Sequence, residues 1–262
     1  MSNQTYNVDL LKPLIVAFAV LVPLLATTAR AQAPAPASPP ANKWEIIDNS
    51  FLVEEAFNQE SDVFQNIFTW TRGRGGAWQA SFTQEWPAPN MAHQFSYTIP
   101  FSGSPAATGI NDILLNYRYQ LLNETANSPA ISPRLSLILP SGRESAGLGS
   151  GAAGLQFNIP VSKQFGDIYV HGNAGATWLR GGDWTTLVGG SLIWRVVPMW
   201  NLMFEAVGEP GQSITWSPGF RYGWNLKSGQ VVVGAAVPVT HDADRPATAA
   251  FLTYFSYEPR FR

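Results

Sequence analysis

Apolar and polar residues alternate one by one along much of this chain, and this period of two restricts its fold more than any other feature. The pattern is clearest in 78–86, 93–101, 113–121, 155–161 and 214–222. On one face of these segments 22 of 24 residues are apolar, aromatic or proline, the exceptions being Gln84 and His93. On the other face 16 of 19 are polar, charged or glycine. A helix would space its apolar residues three and four apart, so these segments are predicted to be strands.

Extending the pattern predicts twelve strands. They are expected at 64–72, 77–86, 92–101, 110–122, 131–140, 152–163, 167–179, 184–196, 199–208, 212–224, 229–239 and 248–258. The number is even, as bacterial outer-membrane barrels require. Long connections are predicted at one end, at 102–109, 141–151 and 240–247, and short turns at the other, at 87–90, 164–166, 197–198 and 225–228, with 123–130 the exception. In outer-membrane barrels the long end is extracellular.

Lipid is the predicted environment of the apolar face. A soluble β-sandwich also alternates, but only 13% of the residues are charged and the apolar face is rich in aromatic side chains. Eight tryptophans fall near predicted strand ends, where an aromatic girdle meets lipid headgroups; they are Trp70, Trp78, Trp86, Trp178, Trp184, Trp194, Trp200 and Trp224. We therefore predict an all-β fold, a single antiparallel up-and-down transmembrane β-barrel of about twelve strands.

The N-terminal residues are predicted to direct export. A polar start, an apolar stretch at 14–26 and the small-residue site Ala29-Arg30-Ala31 are typical of a secretory signal peptide spanning 1–31, with an uncleaved anchor as the alternative. A Pro/Ala-rich linker follows at 32–48, and the barrel is expected at 49–262. These features predict the outer membrane of a Gram-negative bacterium, with outer-membrane lipid, lipopolysaccharide and the barrel-assembly machinery as partners.

Six ionisable residues are predicted to point into the lumen: Glu85, Arg118, Arg134, His171, Glu205 and Arg221. Buried charges in a barrel must be paired or hydrated, so one interpretation is a salt-bridged network that holds the strands in register. The other is a constriction that selects acidic or aromatic-acid solutes. Both interpretations stay open at this point.

Residues 49–63, which we name the leader, are acidic and precede the first strand. Phe51, Leu52, Ala56 and Phe57 are spaced like one side of a short helix. One hypothesis is a plug whose carboxylates, the candidates being Glu54, Glu55 and Glu60, meet lumen arginines such as Arg118 and Arg221. The alternative is a solvated leader that ties the linker to the barrel.

Prolines inside predicted strands, at Pro100, Pro160, Pro218 and Pro238, remove donors from the hydrogen-bond ladder. A closed barrel has no edge strand to hold them. We therefore expect β-bulges or kinks at these positions, either as plain irregularities or as side openings for apolar solutes.

Several classes of function are excluded or disfavoured. The chain has no cysteine, which excludes thiolate nucleophiles, Cys-ligated zinc and iron–sulfur clusters. The net charge of −2 shows no excess of basic residues of the kind that nucleic-acid binding requires. Neither a G-x-S-x-G elbow nor a phosphate-binding loop occurs, and His241, Asp242 and Asp244 form only a weak metal motif. We predict no enzymatic activity, no catalytic residue, no metal site and no cofactor.

Three stretches resemble the outer-membrane family named for the meta-cleavage pathway of phenol degradation. They are FLVEEAFNQESDVFQNI at 51–67, GINDILLNYRYQLL at 109–122, and SPRLSLILPSG at 132–142 followed by LQFNIPVSKQF at 155–165. The resemblance covers most of the chain from about Asn49 onward and implies a transporter. Two positions depart from the family pattern: Asn111-Asp112 replaces Gly-Asp, and the terminal aromatic is the penultimate Phe261.

The predicted function is a channel or porin for passive uptake of small organic solutes, aromatic ones included. The alternative is a closed structural or receptor barrel whose extracellular loops mediate interaction.

Overall fold

The computed structural model describes residues 45–46 and 49–260, and these fold into twelve antiparallel strands. The strands are β1 (Gln65–Gly73), β2 (Trp78–Pro87), β3 (His93–Gly103), β4 (Thr108–Ile110 and Ile113–Tyr119), β5 (Ala130–Ile131 and Arg134–Leu139), β6 (Gly154–Phe165), β7 (Ile168–Leu179), β8 (Trp184–Val197), β9 (Trp200–Glu209), β10 (Ser213–Leu226), β11 (Gly229–Ala236 and Val239–Asp242) and β12 (Thr248–Pro259). Short 3₁₀ turns occupy Arg74–Gly76 and Glu144–Ala146. The predicted signal peptide and most of the linker lie outside the described residues.

Each strand pairs with its neighbours in sequence, and the first strand pairs with the last. The closing ladder runs from Asn66 opposite Tyr257 to Gly73 opposite Ala250. Closure leaves no unpaired sheet edge. The predicted fold, a single up-and-down barrel of twelve antiparallel strands, is confirmed.

No helix within 45–46 and 49–260 is both long enough and apolar enough to cross a membrane.

Strand ends agree with the predicted ones to within three residues, but the loop asymmetry is weaker than predicted. The long loops expected at 102–109 and 240–247 are shortened to 104–107 and 243–247, because β3 reaches Gly103, β4 begins at Thr108 and β11 reaches Asp242. Only the connection 140–153 is long at that end, and 120–129 is long at the opposite end.

Each of the three interrupted strands breaks opposite a proline of its neighbour. Pro100, Pro160 and Pro218 accept hydrogen bonds from the backbone amides of Asn111 (2.9 Å), Ser132 (3.2 Å) and Val237 (3.0 Å). Proline has no N–H, so it cannot donate a hydrogen bond to the neighbouring strand. The strand pairing is interrupted at the proline and continues on its other side. The register shifts only at Pro100, so a bulge forms there and not at Pro160 or Pro218. Pro238 lies within the gap of β11 itself.

Most apolar side chains of the strands face outward, and the tryptophans lie at two levels. Leu202, Phe204 and Phe255 are among the exposed outward side chains. Trp70, Trp78, Trp178 and Trp184 lie toward the β1–β2 and β7–β8 turns, whereas Trp86, Trp194, Trp200 and Trp224 lie toward the opposite end.

Gln84 and His93, the two exceptions on the apolar face of the five segments, each have a partner. Gln84 donates to Asn66 Oδ1 at 2.8 Å, and His93 Nδ1 lies 2.7 Å from the hydroxyl of Tyr117.

The interior is less uniformly polar than the alternation suggested. Ile67, Met203, Val232, Leu252 and Tyr254 are buried in one apolar cluster. The leader packs against this cluster and fills part of the lumen.

Candidate functional site

The leader lies inside the barrel as an irregular chain, bound through its backbone by inward-facing side chains. The amides of Leu52 and Val53 donate to Glu205 Oε1 at 2.8 and 3.1 Å, and Ser50 Oγ lies 2.7 Å from Ser191 Oγ. The leader is not the short helix that its apolar spacing suggested. Its backbone groups find partners on the barrel wall, so they do not need helical ones.

The same mode of binding continues along the leader. Asn173 accepts from the amide of Glu54 and donates to its carbonyl, both at 2.8 Å. The amide of Ala56 donates to Ser162 Oγ at 2.7 Å. Strands β6, β7, β8 and β9 therefore form one wall that holds the leader; we call it the leader-binding wall and define it by Ser162, Asn173, Ser191 and Glu205.

Two arginines face each other across β4 and β5, and the leader supplies their acceptors. Arg118 and Arg134 are direct cross-strand partners, an arrangement in which like charges repel. Glu54 accepts from Arg134 at 2.6 to 3.0 Å through both carboxylate oxygens. Arg118 donates to the backbone carbonyls of Glu55 and Phe57. The leader thus compensates both charges.

Burial and ion pairing shift the pKa of the Glu54 carboxyl in opposite directions. Burial raises the pKa of this carboxyl, but the Arg134 guanidinium and its hydrogen bonds outweigh it, and the resulting pKa lies below the ordinary value of 4.5. Glu54 is therefore ionised at neutral pH, as the pair with Arg134 requires.

The other arginine named from the sequence also binds the leader backbone. Arg221 is 2% exposed and donates to the carbonyl of Asn49 at 2.9 Å. The sequence predicts that leader carboxylates meet lumen arginines such as Arg118 and Arg221. In the structure Glu54 pairs with a third lumen arginine, Arg134, and also interacts electrostatically with Arg118. Arg118 and Arg221 donate hydrogen bonds to leader carbonyls.

The remaining candidates lie in separate places. Glu85 is buried and accepts from Gln94 at 2.7 Å. Glu55 is 4% exposed, whereas Glu60 is at the surface and pairs with Arg260 at 3.5 Å.

His171 is enclosed by the leader-binding wall. Its Nδ1 lies 2.7 Å from Ser162 Oγ, which also accepts the Ala56 amide. This Ser–His pair is covered by the leader, because His171 is 3% and Ser162 0% exposed. The arrangement fits a role in holding the leader.

Sequence reasoning missed the aromatic anchor of the leader. The ring of Phe51 lies 5.0 Å from that of Tyr254, centroid to centroid. Gly234 makes room for it, since a Cβ at this position would lie 2.3 Å from Phe51 Cζ. Nothing in the sequence local to either residue indicates that they meet.

A second anchor lies just before the leader. The Glu45 carboxylate accepts from the Tyr169 hydroxyl and from Arg195 at 3.3 Å, and the Glu45 carbonyl accepts from Gln230 at 3.1 Å. Ile46 is buried beside Met199 and Gly223. The chain is therefore fixed before it reaches the leader.

A cavity of about 210 Å³ remains between the leader and strands β1–β4. Its barrel side carries four half-buried hydroxyl side chains, Thr69, Ser81, Thr83 and Thr98, which we call the hydroxyl wall. Its other side is formed by leader residues 49–54. Arg118, Arg134 and Glu85 also line it. The described residues contain no cluster of three or more His, Asp or Glu suited to a metal ion.

Solved outer-membrane proteins share this fold. An outer membrane channel from Pseudomonas putida F1 aligns with a TM-score of 0.59 at 12% identity, covering 82% of this chain and all of that one. The KdgM porin aligns at 0.53 and 11% identity, covering 76% of this chain and 99% of that one. The NanC porin aligns with a TM-score of 0.51 at 8% identity, covering 74% of this chain and 98% of that one. No family model and no curated protein matches the sequence.

Proposed function

We propose that this protein is an outer-membrane channel for passive uptake of small organic solutes, aromatic ones included. The observation that carries the proposal is a closed twelve-stranded barrel with an apolar exterior and a lined internal cavity. Solutes cross by diffusion, ranked by size and charge, without a cofactor or enzymatic step. The fold shared with porins supports this proposal, and the sequence resemblance adds a link to phenol degradation.

The exterior supports placement in the outer membrane. Most outward side chains are apolar, and the tryptophans at two levels suit an aromatic girdle at each interface. We propose that the signal peptide 1–31 directs export and is then cleaved. The barrel-assembly machinery would insert the barrel, which then contacts lipid and lipopolysaccharide.

Liposome swelling tests the channel. Protein in liposomes is exposed to neutral sugars, benzoate and an aromatic amine, and swelling is compared with protein-free liposomes. We expect permeation of at least one class, with a rate that falls as solute size increases. Absence of permeation for every solute would overturn the proposal.

We propose that the leader is a plug that narrows this channel. Its support is the row of leader backbone groups bound by Glu205, Asn173 and Ser162. Deleting residues 42–60 should raise single-channel conductance, because the deletion empties most of the occupied lumen. Unchanged conductance would remove the plug and leave the barrel.

We propose that the six lumen residues determine the constriction in two ways. Glu85, Arg118 and Arg134 line the cavity, whereas His171, Glu205 and Arg221 hold the leader that narrows it. Replacing Arg118 and Arg221 by alanine removes two inward positive charges and should shift ion selectivity toward cations. Equal reversal potentials before and after would contradict this role.

A closed receptor barrel is the second candidate. The observation in its favour is the lumen space taken by the leader. This candidate predicts that no solute permeates, while the connections 104–107, 140–153 and 243–247 bind a partner.

A further inference from the structure

We infer that solutes move through the side of the lumen bounded by the hydroxyl wall, and that this wall selects small, uncharged, hydroxylated organic molecules. The inference rests on the proposed channel function and adds a route and a substrate class to it. Small polar side chains on the leader-binding wall are more deeply buried than those on the hydroxyl wall.

The leader occupies the lumen off centre. On the leader-binding wall, Ser162 and Ser191 are 0% and 4% exposed, and each contacts a leader residue. On the hydroxyl wall, Thr69, Ser81 and Thr98 are only half-buried and border the cavity. The open space in the lumen is therefore on the β1–β4 side.

The hydroxyl groups are arranged in cross-strand pairs. Thr69 Oγ1 lies 2.6 Å from Ser81 Oγ, and Thr83 Oγ1 lies 2.9 Å from Thr98 Oγ1. A hydroxyl has one donor and two acceptor lone pairs, so each pair retains hydrogen-bonding capacity toward the cavity. Such a surface matches a solute that carries hydroxyl groups.

The charges beside the cavity are engaged with protein groups. Arg134 is bound by Glu54, Arg118 donates to leader carbonyls, and Glu85 accepts from Gln94. A charged solute would have to lose hydration without gaining a dedicated partner, which is unfavourable. The cavity therefore favours uncharged solutes over acids.

The volume of the cavity further restricts the class of solutes that it can hold. The cavity of about 210 Å³ exceeds the roughly 150 Å³ that hold a benzene ring in an engineered cavity. On the leader side the cavity is lined by Phe51, Leu52 and Val53. The ring of Phe51 packs on Tyr254 and Val53 is buried, so neither side chain takes up this space. A molecule about one ring in size that carries hydroxyl groups fits the cavity.

Single-cysteine variants test the route, because the native chain has no cysteine. Thr83→Cys and Thr98→Cys place a thiol on the hydroxyl wall, and Ser191→Cys is the matched control on the leader-binding wall. Protein in liposomes is treated with neutral methyl methanethiosulfonate, its anionic sulfonatoethyl analogue or its cationic trimethylammonium analogue. Intact mass gives the labelling rate, and each rate is divided by that of a free thiol.

We expect the neutral reagent to label the hydroxyl wall about tenfold faster than Ser191→Cys, since thiol reactivity follows exposure. The two charged reagents should label it more slowly than the neutral one. A cysteine adduct at Thr98 should lower the swelling rate for neutral hydroxylated solutes, whereas one at Ser191 should not.

Equal labelling on both walls would overturn the route, and faster labelling by the anionic reagent would overturn the substrate class. If the wild-type protein permeates solutes and either result is found, only this inference fails. If it permeates none, the channel function fails first.

Discussion

Glu54 of the leader and Arg134 of β5 form an ion pair inside the barrel, with Oε1 and Nη2 2.6 Å apart, although 80 residues separate them in the chain. Arg134 faces Arg118 across the sheet, so this carboxylate reduces repulsion within the wall as well as fixing the leader. The leader is thus part of the barrel's internal charge balance.

Replacing Glu54 by glutamine should destabilise the protein, because Arg134 loses its charged partner in a largely buried site. Their side chains are 29% and 13% exposed. Breaking a fully buried pair costs about 3–5 kcal/mol and an exposed pair less than about 1 kcal/mol, so we expect about 2 kcal/mol. Urea unfolding in detergent micelles measures the loss.

Glu60→Gln is the matched control, since its pair with Arg260 is exposed and 3.5 Å long. We expect a change below about 1 kcal/mol for it. Arg134→Gln and the double variant complete a double-mutant cycle, and additive effects would argue against a direct interaction.

Low pH should weaken the binding of the leader to the barrel wall, because protonated Glu54 no longer forms an ion pair with Arg134. The pKa of Glu54 in the folded protein lies below its ordinary value of 4.5, so its stabilising contribution is present above that value and is lost as the pH falls through the lower, folded pKa. Between about pH 5 and about pH 3 the unfolding midpoint of the wild type should fall more steeply than that of Glu54→Gln. Parallel pH profiles would show that this carboxyl does not couple to folding.

Gly234→Ala should displace the aromatic anchor, because the new methyl carbon would lie 2.3 Å from Phe51 Cζ. We expect a loss of about 1–3 kcal/mol and faster proteolysis within the leader. Gly172→Ala is the control, since a Cβ there has no neighbour within 4 Å. Adding Phe51→Leu to Gly234→Ala should restore part of the stability, and a fully additive double variant would refute the clash.

Asp112 holds the long connection 140–153 against the barrel. Its carboxylate accepts from the amide of Gly142 at 3.0 Å and from the amide and hydroxyl of Ser150, both at 2.6 Å. Asp112→Asn replaces an acceptor oxygen by a donor, so protease should cut 140–153 faster. Asp244→Asn, at an exposed position in the turn 243–247, should leave the cleavage rate unchanged. Resistance equal to wild type would mean that the loop is held by other contacts, such as those of buried Leu148.

The sequence by itself determined the strands, their number and the face each side chain takes. Alternation is a local property, since successive side chains of a strand point to opposite sides whatever the strand pairs with. The inward placement of Arg118, Arg134 and Glu205 follows from this parity alone, as does the outward placement of the tryptophans.

Only the tertiary structure decided what the leader does inside. An irregular segment has no period, so its sequence does not show which wall groups will bind its backbone. The pairing of Glu54 with Arg134, the packing of Phe51 beside Gly234 and the cavity along the hydroxyl wall depend on the register of residues far apart in the chain. That register is set by closure of the barrel around the leader.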